Sequence, residues 1–418
     1  MKIFIFIIFL SFFPQRTVLG AQDPFDWKHT ISPLLKENLW EYVTAYDASH
    51  FLMVPLHAAF WLQNDKWEKE FHQHFKAFLA HSCKLPDGSK GRLPRLQYLF
   101  LASRYLVLAQ ESSPQELVKF LNSEIHRFWQ IEPAWQWQQQ PFAHGIKERL
   151  SWKIEQKRTA PSYLRAVIDE ELFLIGISAN IKTYLNRTGM PTPSDIDEIL
   201  AVAKKIFKDQ LVWTKYGGWL LQPGVWTDHP DFAYAGHAEV NQGISKSPVP
   251  GISWDSSHSA RLPLLLLSLA ESSELQPDDH RHYKNLLRAL AVQLFEAVLI
   301  PPNSITPFYR TTNFMDGRNG LYRVAYNKTM NGNGYAPYAL SGTPLIGWWG
   351  FLGDPRITNL YENYLSSLDP MLIWLAKTDP YRLQSWTFRE HYQKTIPVIL
   401  KLTIDINKHI LEYMTKTK

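Results

Sequence analysis

The sequence predicts an all-α chain, and three observations carry that expectation. Apolar residues recur at helical spacing in about a dozen runs, with no convincing train of alternating strands between them. The ten residues Asp47-Ala48-Ser49-His50-Phe51-Leu52-Met53-Val54-Pro55-Leu56 return in outline, half a chain later, as Asp255-Ser256-Ser257-His258-Ser259-Ala260-Arg261-Leu262-Pro263-Leu264. Such an echo suggests one helical unit used twice around a closed or arched array, with polar helix starts pointing at a shared cavity. The plainer reading is two helix starts built from favoured capping residues. Thirdly, two long loops rich in aromatics interrupt the helices, each running straight into an apolar segment.

In chain order, Lys2 is followed by the apolar run Ile3 to Phe13, then Pro14 and the small-residue stretch Val18-Leu19-Gly20-Ala21. This reads as a secretory signal peptide over residues 1–21, too short for a bilayer span. It leaves 22–418 as one domain of a secreted or periplasmic protein, with no transmembrane segment after cleavage. Helical runs then cover roughly 30 to 82 and 93 to 110. Ser113 as N-cap, Pro114 as first helical residue and Glu116 as third make a capping box ahead of Leu117, Phe120, Leu121, Ile125 and Phe128. After a run over roughly 161 to 186, Ser194 caps Ile196, Ile199, Leu200, Ala203, Ile206 and Phe207, and Pro277 opens Leu286, Leu287, Leu290, Leu294 and Val298. Runs over roughly 355 to 378 and 385 to 414 close the chain.

The two loops are Tyr216 to Trp254, leading to Leu262–Leu269, and Pro301 to Gly342, leading to an apolar helix over Leu345–Phe351. Loops of this length inside a compact domain are functional or disordered, and their aromatic content disfavours disorder. They should sit at the mouth of the helical array.

Composition narrows the chemistry. The formal charge of +5 falls to +3 once Lys2 and Arg16 leave with the leader, too balanced for a nucleic-acid partner. A single cysteine, Cys83, excludes a disulfide framework and a Cys-rich zinc site. Sixteen Trp and nineteen Tyr are a heavy aromatic load. Several indoles lie in polar, loop-like sequence: Trp129, Trp135, Trp137, Trp219, Trp226, Trp254, Trp348 and Trp349. Core packing accounts for most Trp in most proteins, but indoles among Gly, Asp and His more often line a cleft and stack on sugar rings.

Two constellations stand out. In Trp254-Asp255-Ser256-Ser257-His258-Ser259-Ala260-Arg261, either a helix begun by Asp255 or a loop leading to Pro263 leaves Asp255, His258 and Arg261 at one rim. There a carboxylate orients an imidazole and a guanidinium binds an anion. The plainer alternative is a simple Asp cap. The other is Trp226-Thr227-Asp228-His229-Pro230-Asp231 with Tyr234, His237 and Glu239, suited to acid/base and substrate contacts. Its two His and three carboxylates could also ligate zinc or a harder ion, but the spacing matches no standard ligand motif, so acid/base or substrate contacts are expected and no cofactor is named. Hydrolysis of a glycoside needs two carboxylates flanking the bond, available from Glu239, Asp228 and Asp255. Elimination needs groups that neutralise a uronate carboxylate and move protons, and the loops supply His258, Arg261, Arg310, Asn241, Asn333 and Tyr335. Asp169-Glu170-Glu171 reads as a solvated acidic stripe with room for one acid to face inward, and His57 as a core histidine.

Helical hairpins in sequence order, a polar helix start repeated across halves and loops gathered at one end resemble the α/α toroid of many polysaccharide lyases and glycoside hydrolases. The resemblance is one of pattern and assigns no particular family. It implies a poly- or oligosaccharide substrate in an aromatic cleft, cleaved preferably by β-elimination on an acidic glycan. His258 or Tyr335 would act as base or acid, Arg261 and Asn333 on the carboxylate, with Trp226 and Trp254 as platforms and Asp228, His229, Tyr234, His237 and Arg310 as substrate contacts. Hydrolysis by Glu239 and Asp255 is the alternative, and a non-catalytic glycan-binding or envelope scaffold protein the third.

Overall fold

The computed structural model describes residues 25–41, 44–81, 84–136, 141–155, 160–241, 243–324, 334–378 and 389–416. The expected leader, Trp137, Cys83 and Asn333 lie outside these. Among the described residues the chain is all-α: fourteen α-helices and two small antiparallel ribbons, Leu211–Trp213 with Trp219–Leu221 and Leu299–Ile300 with Arg310–Thr311. None of the described helices is long and apolar enough to cross a membrane. The helices are α1 Trp27–Leu34, α2 Ala45–Trp61, α3 Asp65–Ala80, α4 Gly88–Ala109, α5 Gln115–His126, α6 Gly145–Glu155 and α7 Asp169–Thr188. They continue with α8 Ser194–Asp209, α9 Ser256–Ser259, α10 Leu262–Ser272, α11 Pro277–Gln293, α12 Pro355–Ser366, α13 Leu368–Thr378 and α14 Arg389–Lys416.

Burial separates these helices into two kinds. All eleven residues of α10 are buried because it is apolar nearly all round, and α7 hides most of its circumference because its inward polar residues, such as Asp169, Glu171 and Asn180, all find partners. By contrast, α8 buries only the stripe Ile196, Ile199, Ala203, Ile206 and Phe207, the spacing of an amphipathic surface helix. Side-chain bonds fix the direction of the enclosed helices. Near their starts, Ser49 of α2 donates to the Gln97 carbonyl of α4, Arg92 of α4 lies beside Glu170 of α7, and Asp169 of α7 pairs with Arg261 at the head of α10. Further along, Arg104 of α4 reaches His57 of α2, Asn180 of α7 and Ser268 of α10. Residue numbers rise together on all four helices, so α2, α4, α7 and α10 run parallel and start at one end. Packing passes from α14 to α2, α4, α7 and α10, then through the tight 3-10 turn Trp348–Leu352 back to α14. One connected apolar cluster runs from Trp27 to Met414.

Three local expectations change. Pro114 and Pro193, not Ser113 and Ser194, occupy the N-caps of α5 and α8, and the Ser113 hydroxyl turns back to the Gln110 carbonyl. The apolar stretch Leu345–Phe351 forms 3-10 turns in place of an α-helix, because Gly347 adopts φ +83° between Ala339–Ile346 and Trp348–Leu352. A Cβ on Gly347 would also meet Thr403 Oγ1 at 2.3 Å, which lets α14 pack against the turn. Finally, Asp169, Glu170 and Glu171 are no solvated stripe. Each enters an ion pair with buried cations: Asp169 with Arg261, Glu170 with Arg149 and Arg92, and Glu171 with Arg149 and Lys153. Burial lowers the Lys153 ammonium to about 8 although Glu171 opposes the shift.

Candidate active site

The two long loops zip onto each other over the starts of the parallel helices. The carbonyls of Asp231 and His237 accept from the amides of Arg323 and Leu321, both at 2.8 Å, and that of Trp254 accepts from Met315 at 3.0 Å. Gly320 permits the crossing, since a Cβ there would lie 1.6 Å from the Ala235 carbonyl oxygen. Beneath this seam is a cavity of about 360 Å³, walled by residues that include Trp135, Asp169, Glu170, Trp226, His229, Asp231, Trp254, His258, Tyr322 and Arg323.

Asp255 organises one side. It is the N-cap of α9 and fully buried; its Oδ1 accepts from the amides of Ser257 at 3.0 Å and His258 at 3.1 Å and from the Ser257 hydroxyl. Its Oδ2 accepts from His258 Nδ1 at 2.7 Å and from the Tyr322 hydroxyl at 3.0 Å. Burial alone would raise this carboxyl, but His258 and its hydrogen bond hold Asp255 far below the usual carboxylate range. A permanent carboxylate on Nδ1 fixes the imidazole with that nitrogen protonated and leaves Nε2 as the exchangeable site. The Nε2 atom lies 3.8 Å from Asp169 Oδ2. Burial pushes the Tyr322 phenol well above its ordinary value, so it remains a donor.

Arg261 stands one layer back. Its guanidinium pairs with Asp169 at 3.2 Å and donates to Tyr46 Oη at 2.5 Å, with His50 Nε2 at 3.5 Å. Both Tyr46 and His50 belong to the first turns of α2, so the two copies of the repeated segment meet at this guanidinium. The cation exposed to the cavity is Arg323 instead. Its backbone takes φ +59°, its guanidinium rides 5.1 Å over the Tyr322 ring, and its Nε donates to Asp231 Oδ2 at 3.1 Å. A non-glycine residue held in the left-handed region is a form of strain that concentrates at functional sites.

The aromatic wall is a stack. Phe232, Trp226, Trp254 and His258 lie nearly parallel, with centroid separations of 5.4, 6.0 and 5.6 Å. Trp226 and Trp254 are thus buried yet border the cavity. His229 meets Trp226 edge-on, and its Nδ1 accepts the Asp231 amide, so a neutral ring carries its proton on Nε2. Burial, reinforced by Arg323, lowers His229 to about 4. Trp135 is the most open indole here, with 48% exposure.

Among the residues singled out in the sequence, Asp255, His258, Trp226, Trp254 and His229 gather at the cavity, with Arg261 behind them. Comparison with protein-family models, curated proteins and solved structures finds no match in any of the three. The site therefore rests on its own geometry.

The remaining candidates sit elsewhere. Asp228 is exposed and anchors Ser162 and Tyr163 through their amides and the Ser162 hydroxyl. Glu239 is exposed, and His237 Nε2 is 2.9 Å from the Ser245 carbonyl. Tyr234 is half-buried away from the cavity lining, and Arg310 lies 4.3 Å over the Tyr338 ring. Tyr335 stacks behind Tyr322 at 5.9 Å, one ring removed from the cavity. Trp129, Trp219, Trp348 and Trp349 are core residues. Among the described residues no three His, Cys, Asp or Glu side chains gather as metal ligands.

Asp169, Tyr322 and Arg323 were not selected from the sequence, and Asp231 only as a member of the Trp226–Asp231 run. A signal existed for Asp169: an acidic run enclosed by Ala166-Val167-Ile168 and Leu172-Phe173-Leu174 opens a helix with no apolar-free face on which to hide.

Proposed function

We propose that the protein is an exported polysaccharide-active enzyme that cleaves an acidic glycan by β-elimination within an α/α-toroid scaffold. The closed packing cycle of α14, α2, α4, α7, α10 and the Trp348–Leu352 turn, with amphipathic helices between its members in sequence, supports the scaffold. One observation carries the chemistry: His258, oriented by the buried Asp255, turns Nε2 toward a cavity that also holds Arg323 and an aromatic wall.

In this reading Arg323 takes the uronate carboxylate, which makes the C5 proton more acidic, and His258 Nε2 removes it. The Asp255 carboxylate stabilises the imidazolium as it forms. Trp135 is the platform for a sugar ring, while Trp226 and Trp254 exclude water. Hydrolysis through Glu239 and Asp255 loses its support, because Glu239 is exposed and every Asp255 oxygen is committed to donors within the protein. A hydrolytic variant would use Asp231, whose burial favours its protonated form.

Incubation with a panel of uronate-containing glycans, followed by ultraviolet absorbance of the unsaturated product, tests the reading. His258→Ala should abolish that signal and leave the fold intact. New reducing ends without absorbance would replace elimination by hydrolysis, and binding without either signal would leave a glycan-binding scaffold.

A further inference from the structure

The carboxyl groups around the cavity are not equivalent. Asp255 accepts five hydrogen bonds, Asp169 is paired with Arg261, and Glu170 Oε2 lies 3.0 Å from Arg149 and 3.7 Å from Arg92. Each of the three has cations or several donors close at hand. Asp231 differs. It is 4% exposed; Arg323 Nε engages its Oδ2, while its Oδ1 has no hydrogen-bond partner among the described residues. His229 Nδ1 lies 3.9 Å from that oxygen but is already occupied by the Asp231 amide. A buried carboxyl oxygen left unpaired costs free energy as an anion and much less as a hydroxyl with an acceptor in reach. Burial accordingly raises this carboxyl, with Arg323 opposing only in part.

We propose that Asp231 is the proton donor to the departing glycosidic oxygen. The inference rests on the elimination reading above and adds the acid that reading lacks. As His258 Nε2 takes the C5 proton, the C–H electron pair forms the C4=C5 double bond and the C4–O bond breaks with its pair on oxygen. That oxygen takes the proton from Asp231 Oδ1. The products are an unsaturated uronate and a chain ending in a hydroxyl; His258 is left protonated and Asp231 ionised, and exchange with water restores both. Arg323 serves both halves, since its charge holds the substrate carboxylate and stabilises the Asp231 anion once the proton has gone. The charged and titratable groups facing Asp231 are Arg323, His229, His258, Asp255 and Tyr322.

Asp231→Asn keeps the shape and an oxygen for Arg323 but has no acidic proton. The test compares it with the wild type on a uronate glycan and on a 4-deoxy-4-fluoro uronoside, whose fluoride departs without protonation. The expected result is a loss of kcat of about a hundredfold or more on the glycan, with fluoride release near the wild-type rate. The alkaline limb of the wild-type glycan profile should vanish with the fluoro substrate. Equal losses on both substrates would make Asp231 a positioning residue, and no loss on either would remove it from the reaction; each overturns the proposal. A wild type that releases no fluoride and forms no unsaturated product would instead refute the elimination reading itself.

Discussion

Asp255→Asn is the most searching substitution at the dyad, because it removes one charge and almost no volume. The carboxamide has two placements. With its oxygen at the Oδ1 position it still accepts from the Ser257 and His258 amides, 3.0 and 3.1 Å away, and the NH₂ then faces His258 Nδ1 and Tyr322 Oη. The opposite placement would set the NH₂ against two backbone amides that cannot accept, at about 1 to 3 kcal/mol for each unpaired donor. The first placement therefore wins. It forces Nδ1 of His258 to accept and moves the ring proton to Nε2, the atom that must be bare to act as a base. Removal of an orienting carboxylate in this way costs kcat about 10⁴-fold in comparable dyads, whereas weakening the α9 cap and one charged bond should cost stability only about 1 to 2 kcal/mol. Turnover on an acidic glycan, paired with nitrogen NMR of the histidine tautomer and a urea titration, checks all three. A variant with the shifted tautomer and undiminished kcat would refute the assignment of His258 as base.

Arg104→Met should destabilise by about 3 kcal/mol or more, since it strands Glu271 beneath the core without its cation; a urea midpoint close to wild type would contradict this. Acid should weaken the fold. His74, buried between the Leu35 carbonyl and the Tyr98 hydroxyl, falls from 6.5 to about 4, so the unfolded chain binds a proton first and stability, full above 6.5, drops by about 3 kcal/mol as pH falls to about 4. His57 shifts in the same direction through burial and Arg104, and a urea midpoint that stays flat across this window would overturn the argument. Trp135→Ala should reduce oligosaccharide affinity about fivefold to tenfold while changing stability by under about 0.5 kcal/mol, as measured by calorimetry and thermal melts. Gly320→Ala drives a methyl into the Ala235 carbonyl and should separate the two loops, seen as lost activity and faster proteolysis of the 216–254 segment.

The helical character was legible because burial imposes a period on sequence, and α8 and α11 show it directly. What escaped was arrangement that depends on partners far along the chain. The Asp255, His258 and Arg261 group lies within seven residues, so local geometry alone brings Asp255 and His258 together, although Arg261 ends one layer behind the cavity. Asp169 meets Arg261 across 92 residues, and an acid that faces a buried guanidinium has the same letter as one that faces water. The role of Arg323 depends on a left-handed backbone that an arginine seldom adopts. Glu239 misled for the converse reason: closeness to His229 in sequence says nothing once the Gly236 and Ser247 backbones pair and turn the chain outward. The apolar run Leu345–Phe351 read as a helix because composition does not reveal the positive φ of Gly347, which breaks it into 3-10 turns.

The position of the cavity follows from how such an array manages charge. Parallel helices end together, so their unpaired amides and the positive ends of their dipoles converge at one face and their carbonyls at the other. The amide face is where Asp169, Asp255 and Asp231 collect, and where an anionic substrate gains most. Between the faces the interior would be a dry channel lined by leucines. Arg104 and Glu271 pair toward the carbonyl end, and Arg104 also bonds to His57, Asn180 and Ser268 from three helices. Glu271 also borders a separate cavity of about 300 Å³ at the carbonyl end. A buried pair of this kind contributes little net stability compared with apolar packing. What it supplies is register: Arg104 ties α2, α4, α7 and α10 together through His57, Asn180, Ser268 and Glu271.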